Sequence, residues 1–123
     1  MSKTIGIVGS RRRNNPSDYG AILTAFEMIY ERGDAIVSGG CPQGGDRFAE
    51  MIARKYNLTI DNGKLIIHYA DWERYGKAAG MIRNAYIATD ADVVIACVAA
   101  DRTGGTEDTI KKATRLGRKI VLV

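Results

Sequence analysis

Val93-Val94-Ile95-Ala96-Cys97-Val98 is an unbroken apolar run, and shortly after it comes Asp101-Arg102-Thr103-Gly104-Gly105-Thr106-Glu107-Asp108. Ile110, Ala113 and Leu116 then recur at helical spacing, Gly117 offers a stop, and Ile120-Val121-Leu122-Val123 forms a second unbroken run. The order is strand, glycine-rich turn, amphipathic helix, strand. Strands that are apolar throughout, rather than at alternate positions, are covered on both faces. The stretch therefore predicts one β-α-β unit of a parallel sheet sandwiched between helices.

The same alternation extends back to the N-terminus. Ile5-Gly6-Ile7-Val8, Ala35-Ile36-Val37 and Leu65-Ile66-Ile67 are short β-branched runs. Between them lie segments of helical period: Tyr19, Ile22, Leu23, Phe26 and Tyr30; then Phe48, Ile52 and Tyr56, over about 46–57; then Ala78, Met81, Ile82 and Ala85, over about 74–89. Five strands alternating with four helices predict a Rossmann-like three-layer α/β sandwich. Its parallel five-stranded sheet has order 3-2-1-4-5, with right-handed crossovers and helices on both faces. Ligands of such sheets bind at the carboxyl ends of the strands.

The 123 residues, 46% hydrophobic and 26% charged, fit one globular domain spanning 1–123. No apolar run approaches the roughly 18 residues of a membrane helix, and the chain enters a strand-like run at once, without a signal-peptide pattern. These features exclude a membrane protein, a secreted disulfide scaffold and a two-domain enzyme, and they predict a cytoplasmic location. Cys41 and Cys97 match no zinc or redox spacing. Cys97 is expected in the core, and Cys41, in a loop after two glycines, near any ligand. His68 has no second histidine to share a metal, so no metal site and no cofactor are expected. Eighteen Lys+Arg against fourteen Asp+Glu leave a net charge of +4, which suits a small anion better than a nucleic acid.

Three strand-to-helix turns carry the chemistry. The first strand runs into Gly9-Ser10-Arg11-Arg12-Arg13, the second into Ser38-Gly39-Gly40-Cys41-Pro42-Gln43-Gly44-Gly45-Asp46-Arg47, and the fourth into Thr103-Gly104-Gly105-Thr106. A parallel sheet brings all three to one edge. Glycine lets the backbone approach a phosphate, helix N-termini present free N–H groups, and arginine grips phosphate oxygens with two donors. The turns match neither a Walker A motif nor a full Gly-x-Gly-x-x-Gly motif. In the third helical segment, Arg83 and Asn84 are adjacent polar residues that would aim into the cleft. Asp71 is a reasonable N-cap there, and Trp72 is expected to pack. Asp46 and Asp108 open helices, where acids suit the dipole, and either can bind ribose hydroxyls or act as a base.

These turns, with Gly80-Met81-Ile82-Arg83-Asn84 and Gly104-Gly105-Thr106-Glu107-Asp108 in that order, resemble the YspA/YpsA-related branch of the SLOG superfamily. The superfamily includes the LOG phosphoribohydrolases and the DprA DNA-processing proteins, and the likeness spans essentially the whole chain. It implies a Rossmann-like domain binding a nucleotide or nucleotide-derived phosphate ligand, as a sensor or binding module. Gly9, Ser10, Arg11, Gly39, Gly40, Gly44, Asp46, Arg47, Asn84, Gly104, Gly105 and Thr106 would form the site. The alternative it implies is a LOG-like N-glycosidic hydrolase that releases a base from a nucleoside 5′-monophosphate. Arg83 and Asp108 would then be catalytic, Arg83 as a loose match to the LOG arginine. Where LOG carries its glutamate, this chain has Thr109, with Asp108 one position earlier. A third reading, single-stranded DNA binding as in DprA, needs stacking aromatics, and most of the nine here fall on predicted core faces. Relatives are often dimers or larger, so a homo-oligomer is a further expectation of the resemblance.

Overall fold

A computed structural model describes residues 2–123. Five parallel strands, β1 (Thr4–Gly9), β2 (Ala35–Ser38), β3 (Leu65–Ile67), β4 (Val93–Cys97) and β5 (Lys119–Leu122), lie in the order β3-β2-β1-β4-β5. The helices are α1 (Pro16–Ile29), α2 (Gly45–Lys55), α3 (Trp72–Tyr75), α4 (Ala79–Asp90) and α5 (Gly105–Arg115). The Rossmann-like architecture and strand order are those expected from the sequence. β1 is central, pairing Ile5 with both Ile36 and Val93.

Alternate strand residues feed two cores. Ile5, Ile7, Ile36, Ile95 and Cys97 pack with Phe26 of α1 and Phe48 and Ile52 of α2. Val8, Val37, Val94 and Ala96 pack with Ile87, Ala88 and Ala113 from α4 and α5. Each fully buried Ile contributes roughly 2 kcal/mol. The second core is lined by alanines, which bring α4 and α5 close to the sheet. Cys97 lies wholly inside, and burial pushes its thiol pKa up.

The third helical segment is not the single helix over about 74–89 that the sequence suggested. Asp71 caps the four-residue α3 by accepting from the Arg74 N–H at 3.1 Å. Gly76, at φ +55°, then turns the chain through a 3-10 segment (Gly76–Ala78) into α4. A non-glycine residue is strained in that left-handed conformation. Trp72 does not pack as expected, since more than half of it is exposed. Among the described residues no helix is long and apolar enough to cross a membrane.

Arg13 staples the carboxyl edge. Its Nε donates to Asp18 at 2.8 Å, and its Nη1 donates to the Val98 and Val123 carbonyls at 3.0 and 2.7 Å. At the opposite edge, fully buried Asp34 accepts from Lys3 N (2.8 Å), Lys3 Nζ (2.6 Å) and Glu31 N (2.9 Å). Burial alone would raise the Asp34 pKa, but Lys3 and the two backbone donors outweigh it and hold the pKa below its usual value. A depressed carboxylate pKa stabilises the fold above the unfolded-state pKa, and that stability is lost as pH falls through the folded value. The Asp34 contribution is thus intact at neutral pH and fades below about pH 4. Asp34→Ala, which strands these donors, should cost about 3 kcal/mol at neutral pH, read from urea midpoints, and much less in acid. An equal cost at both pH values would contradict the assignment.

Candidate functional site

A cleft of about 330 Å³ opens at the carboxyl edge where β1 and β4 adjoin, the switch point of the sheet. Its size is at the lower end of small-molecule sites. Three turns and one helix build it: Gly9 ends β1, and Ser10, Arg11 and Arg12 follow it; Cys41 and Asp46 follow β2; Arg83 and Asn84 come from α4; Thr103, Gly104, Gly105, Thr106 and Thr109 surround the start of α5.

Two of these turns use the same device. Gly44 (φ +70°, ψ −147°) precedes α2, and Gly104 (φ +105°, ψ −172°) precedes α5; neither helix start has a side-chain cap. Such angles are accessible essentially to glycine alone. The first N–H groups of a helix have no acceptor within it. At α5 these groups belong to cleft-lining residues.

The pieces are held in place by polar contacts. Arg83 donates from Nη1 to the Gly39 carbonyl at 2.9 Å and from Nε to Asn84 Oδ1 at 3.0 Å. Asp46, buried, accepts from the Cys41 N–H at 3.1 Å and lies 2.9 Å from the Ser38 hydroxyl. A Cβ built on Gly39 would sit 2.7 Å from Arg83 Nη1 and 2.8 Å from Asp46 Oδ2, so both charged groups converge above that glycine. Across the cleft mouth, Arg12 forms a two-pronged pair with Asp101 at 2.7 and 2.8 Å and also donates to the Thr103 hydroxyl at 2.9 Å. The Arg12 guanidinium, followed by the Thr103 hydroxyl, holds the Asp101 pKa far below the usual carboxylate range. Arg102, at φ +54°, is fixed by a second fork to Glu107 at 2.8 and 2.9 Å. Of the arginine run, Arg11 alone has no side-chain partner among the described residues.

The expected site residues divide between the cleft and its frame. Gly9, Ser10, Arg11, Asp46, Arg83, Asn84, Gly104, Gly105 and Thr106 line the cleft. Gly39 accepts from Arg83, as above, while Gly40 lies under the Tyr69 ring. Gly44 abuts the Ser10 carbonyl, and its N–H donates to Asn14 Oδ1 at 2.8 Å. Arg47 is outside the lining: its Nη1 donates to the same Asn14 Oδ1 at 3.2 Å, and its guanidinium lies over the Phe48 ring at 5.2 Å. Asp108 stands behind the wall, where Lys112 Nζ holds both its oxygens at 2.6 and 2.7 Å and Asn84 Nδ2 reaches it at 3.1 Å. It thereby orients Asn84 rather than facing the cleft. Sequence reasoning did not single out Arg12 and Thr103 as lining residues, because Asp101, which orders them, is remote from Arg12 in the chain. Cys41 lies at the cleft, as expected. No cluster of three or more potential metal ligands occurs among the described residues.

No protein-family model matches the chain. Its fold resembles that of the molybdenum cofactor binding protein from the phototrophic bacterium Rippkaea orientalis, with a TM-score of 0.68 over 99% of this chain and 76% of that one. At 20% identity, that likeness concerns the fold alone. In sequence, the chain is 32% identical to the gene 61 protein of Mycobacterium phage D29, over 72% of its own length and 70% of the phage protein's. This identity and coverage make the chain a member of the family of the phage D29 gene 61 protein.

Proposed function

We propose that the cleft binds a nucleotide or nucleotide-derived ligand through its phosphate, and that the chain serves as a binding module or sensor. One observation carries this reading: the uncapped first turn of α5 lines the same cleft as Ser10 and the unpartnered Arg11. Free N–H groups, a helix dipole and an unneutralised guanidinium together suit an anion. The SLOG resemblance of the turns supports a nucleotide, and the cofactor named for the Rippkaea orientalis protein of like fold supports small-molecule binding on this scaffold. On this reading the chain works as one domain of 1–123, in the cytoplasm, as a homo-oligomer, on a small molecule rather than nucleic acid. Calorimetric titration with nucleoside monophosphates tests it. Arg11→Ala should weaken binding about tenfold without moving the unfolding midpoint. Equal affinity would remove Arg11 from the site, and no binding by the wild type would end the reading.

A second reading, hydrolysis of the N-glycosidic bond of a nucleoside 5′-monophosphate, is favoured by the convergence of Asp46 and Arg83 above Gly39. Asp46 would activate water or stabilise an oxocarbenium-like centre, Arg83 would neutralise charge, and Asp108 would act through Asn84. Chromatography for free base distinguishes the two. Release that is lost in Asp46→Asn supports hydrolysis, and binding without release supports the module.

A further inference from the structure

Beside the first cleft lies a second, of about 260 Å³, lined by Tyr69, Tyr75, Tyr86 and His68 together with Asp71 and Arg74. Arg83 lines both, so the two cavities share a wall. The second has a different chemistry from the first. Tyr69 and Tyr86 are 67% and 55% exposed, an unusual outlay of aromatic surface on one side of a small protein. The rings are nonetheless ordered. His68 stacks on Tyr86 with centroids 5.4 Å apart and planes at 23°, and its Nε2 is fixed by Asp90 Oδ2 at 2.5 Å. Tyr69 lies against Gly40, so closely that a Cβ there would fall 2.5 Å from the ring. Arg74 sits over the Tyr75 ring at 5.1 Å.

We infer that the two cavities form one two-lobed site, in which the aromatic lobe stacks the base of the nucleotide whose phosphate occupies the first. This rests on the phosphate reading above and names where the rest of the ligand goes. This lobe suits a phosphate less well than the first, because Asp71 offsets one of its two arginines and Ala79, the first residue of α4, already donates its N–H to the Gly76 carbonyl. A flat, neutral π-system with hydrogen-bonding edges does suit it: the rings offer faces, while Asp71 and Arg74 offer an acceptor and donors. Arg83, at the shared wall, is placed to contact the sugar-phosphate between the lobes.

Calorimetry with two probes, AMP and ribose 5-phosphate, tests the aromatic lobe separately from the phosphate cleft. The wild type should bind AMP at least tenfold tighter than ribose 5-phosphate. Tyr86→Ala should bring that ratio close to one, and Tyr86→Phe, which keeps the ring, should restore it. Equal affinity of the wild type for both probes would overturn the aromatic lobe and leave the phosphate cleft standing. Binding of neither would overturn the phosphate reading and this inference with it. An intact AMP preference in Tyr86→Ala, with a change in oligomeric mass by sedimentation, would assign these rings to contact between copies of the chain and would also overturn the inference.

Discussion

Gly45→Ala should lower the unfolding free energy by about 3 kcal/mol, the upper end of what a single overpacked methyl group costs. The reason is the closeness of α2 to the central strand. A Cβ on Gly45 would stand 2.4 Å from Gly9 N, 2.5 Å from Val8 C and 2.8 Å from Gly9 Cα. All three are backbone atoms of β1, which pairs on both sides and has nowhere to retreat. The helix must move instead, and Phe48, Ala49 and Ile52, all buried, would move with it. For a chain of this length the loss corresponds to a fall in Tm of roughly 10 °C. Thermal unfolding by circular dichroism measures it, and an unchanged midpoint would mean that α2 does not sit on Gly9 as described.

Arg83→Ala should weaken nucleoside monophosphate binding about a hundredfold, equivalent to about 2.7 kcal/mol, while the fold is retained. Arg83 is partly exposed, and the groups it leaves behind, the Gly39 carbonyl and Asn84 Oδ1, border an open cleft where water can replace it. Its removal should therefore cost no more than about 1 kcal/mol of stability. The expected loss is large because the guanidinium borders both lobes, so on the proposed reading its charge and planar fork would serve the ligand at its centre. Arg83→Lys should recover only part of the affinity, since an ammonium cannot reproduce the fork. Wild-type affinity in Arg83→Ala would place the ligand elsewhere.

The parallel sheet was legible in the alternation of continuous apolar runs with helical segments, whereas the strand order was expected only as the usual Rossmann-like one, because nothing in the runs themselves fixes which strands adjoin. The carboxyl-edge cleft was legible from the parallel sheet, as the glycine-rich turns at Gly9, Gly39 and Gly104 had to share an edge. Other features depended on tertiary contacts. Gly44 and Gly45 read as phosphate-ready glycines, yet in the fold they let α2 rest on β1. The alanine-rich spacing around Ala78 read as one helix and gave no weight to the break at Gly76. Arg12 and Asp101 find each other only when β1 and β4 pair. The engagement of Asp108 has a local signal in the chain: Lys112 follows at i+4, the spacing at which helical acid and base meet. The four exposed aromatics, Tyr69, Trp72, Tyr75 and Tyr86, were hidden by the five that do pack in the core.

A nitrogen–proton correlation spectrum recorded during titration with ribose 5-phosphate reports on the backbone donors themselves. If the start of α5 holds phosphate, the amide signals of Gly105 and Thr106 shift with one saturating isotherm, together with those of Ser10 and Arg11 across the cleft. Signals on the far edge of the sheet, such as Lys3 and Asp34, stay in place. Shifts confined to exposed lysines and arginines, with the α5 amides unmoved to saturation, would contradict the phosphate site.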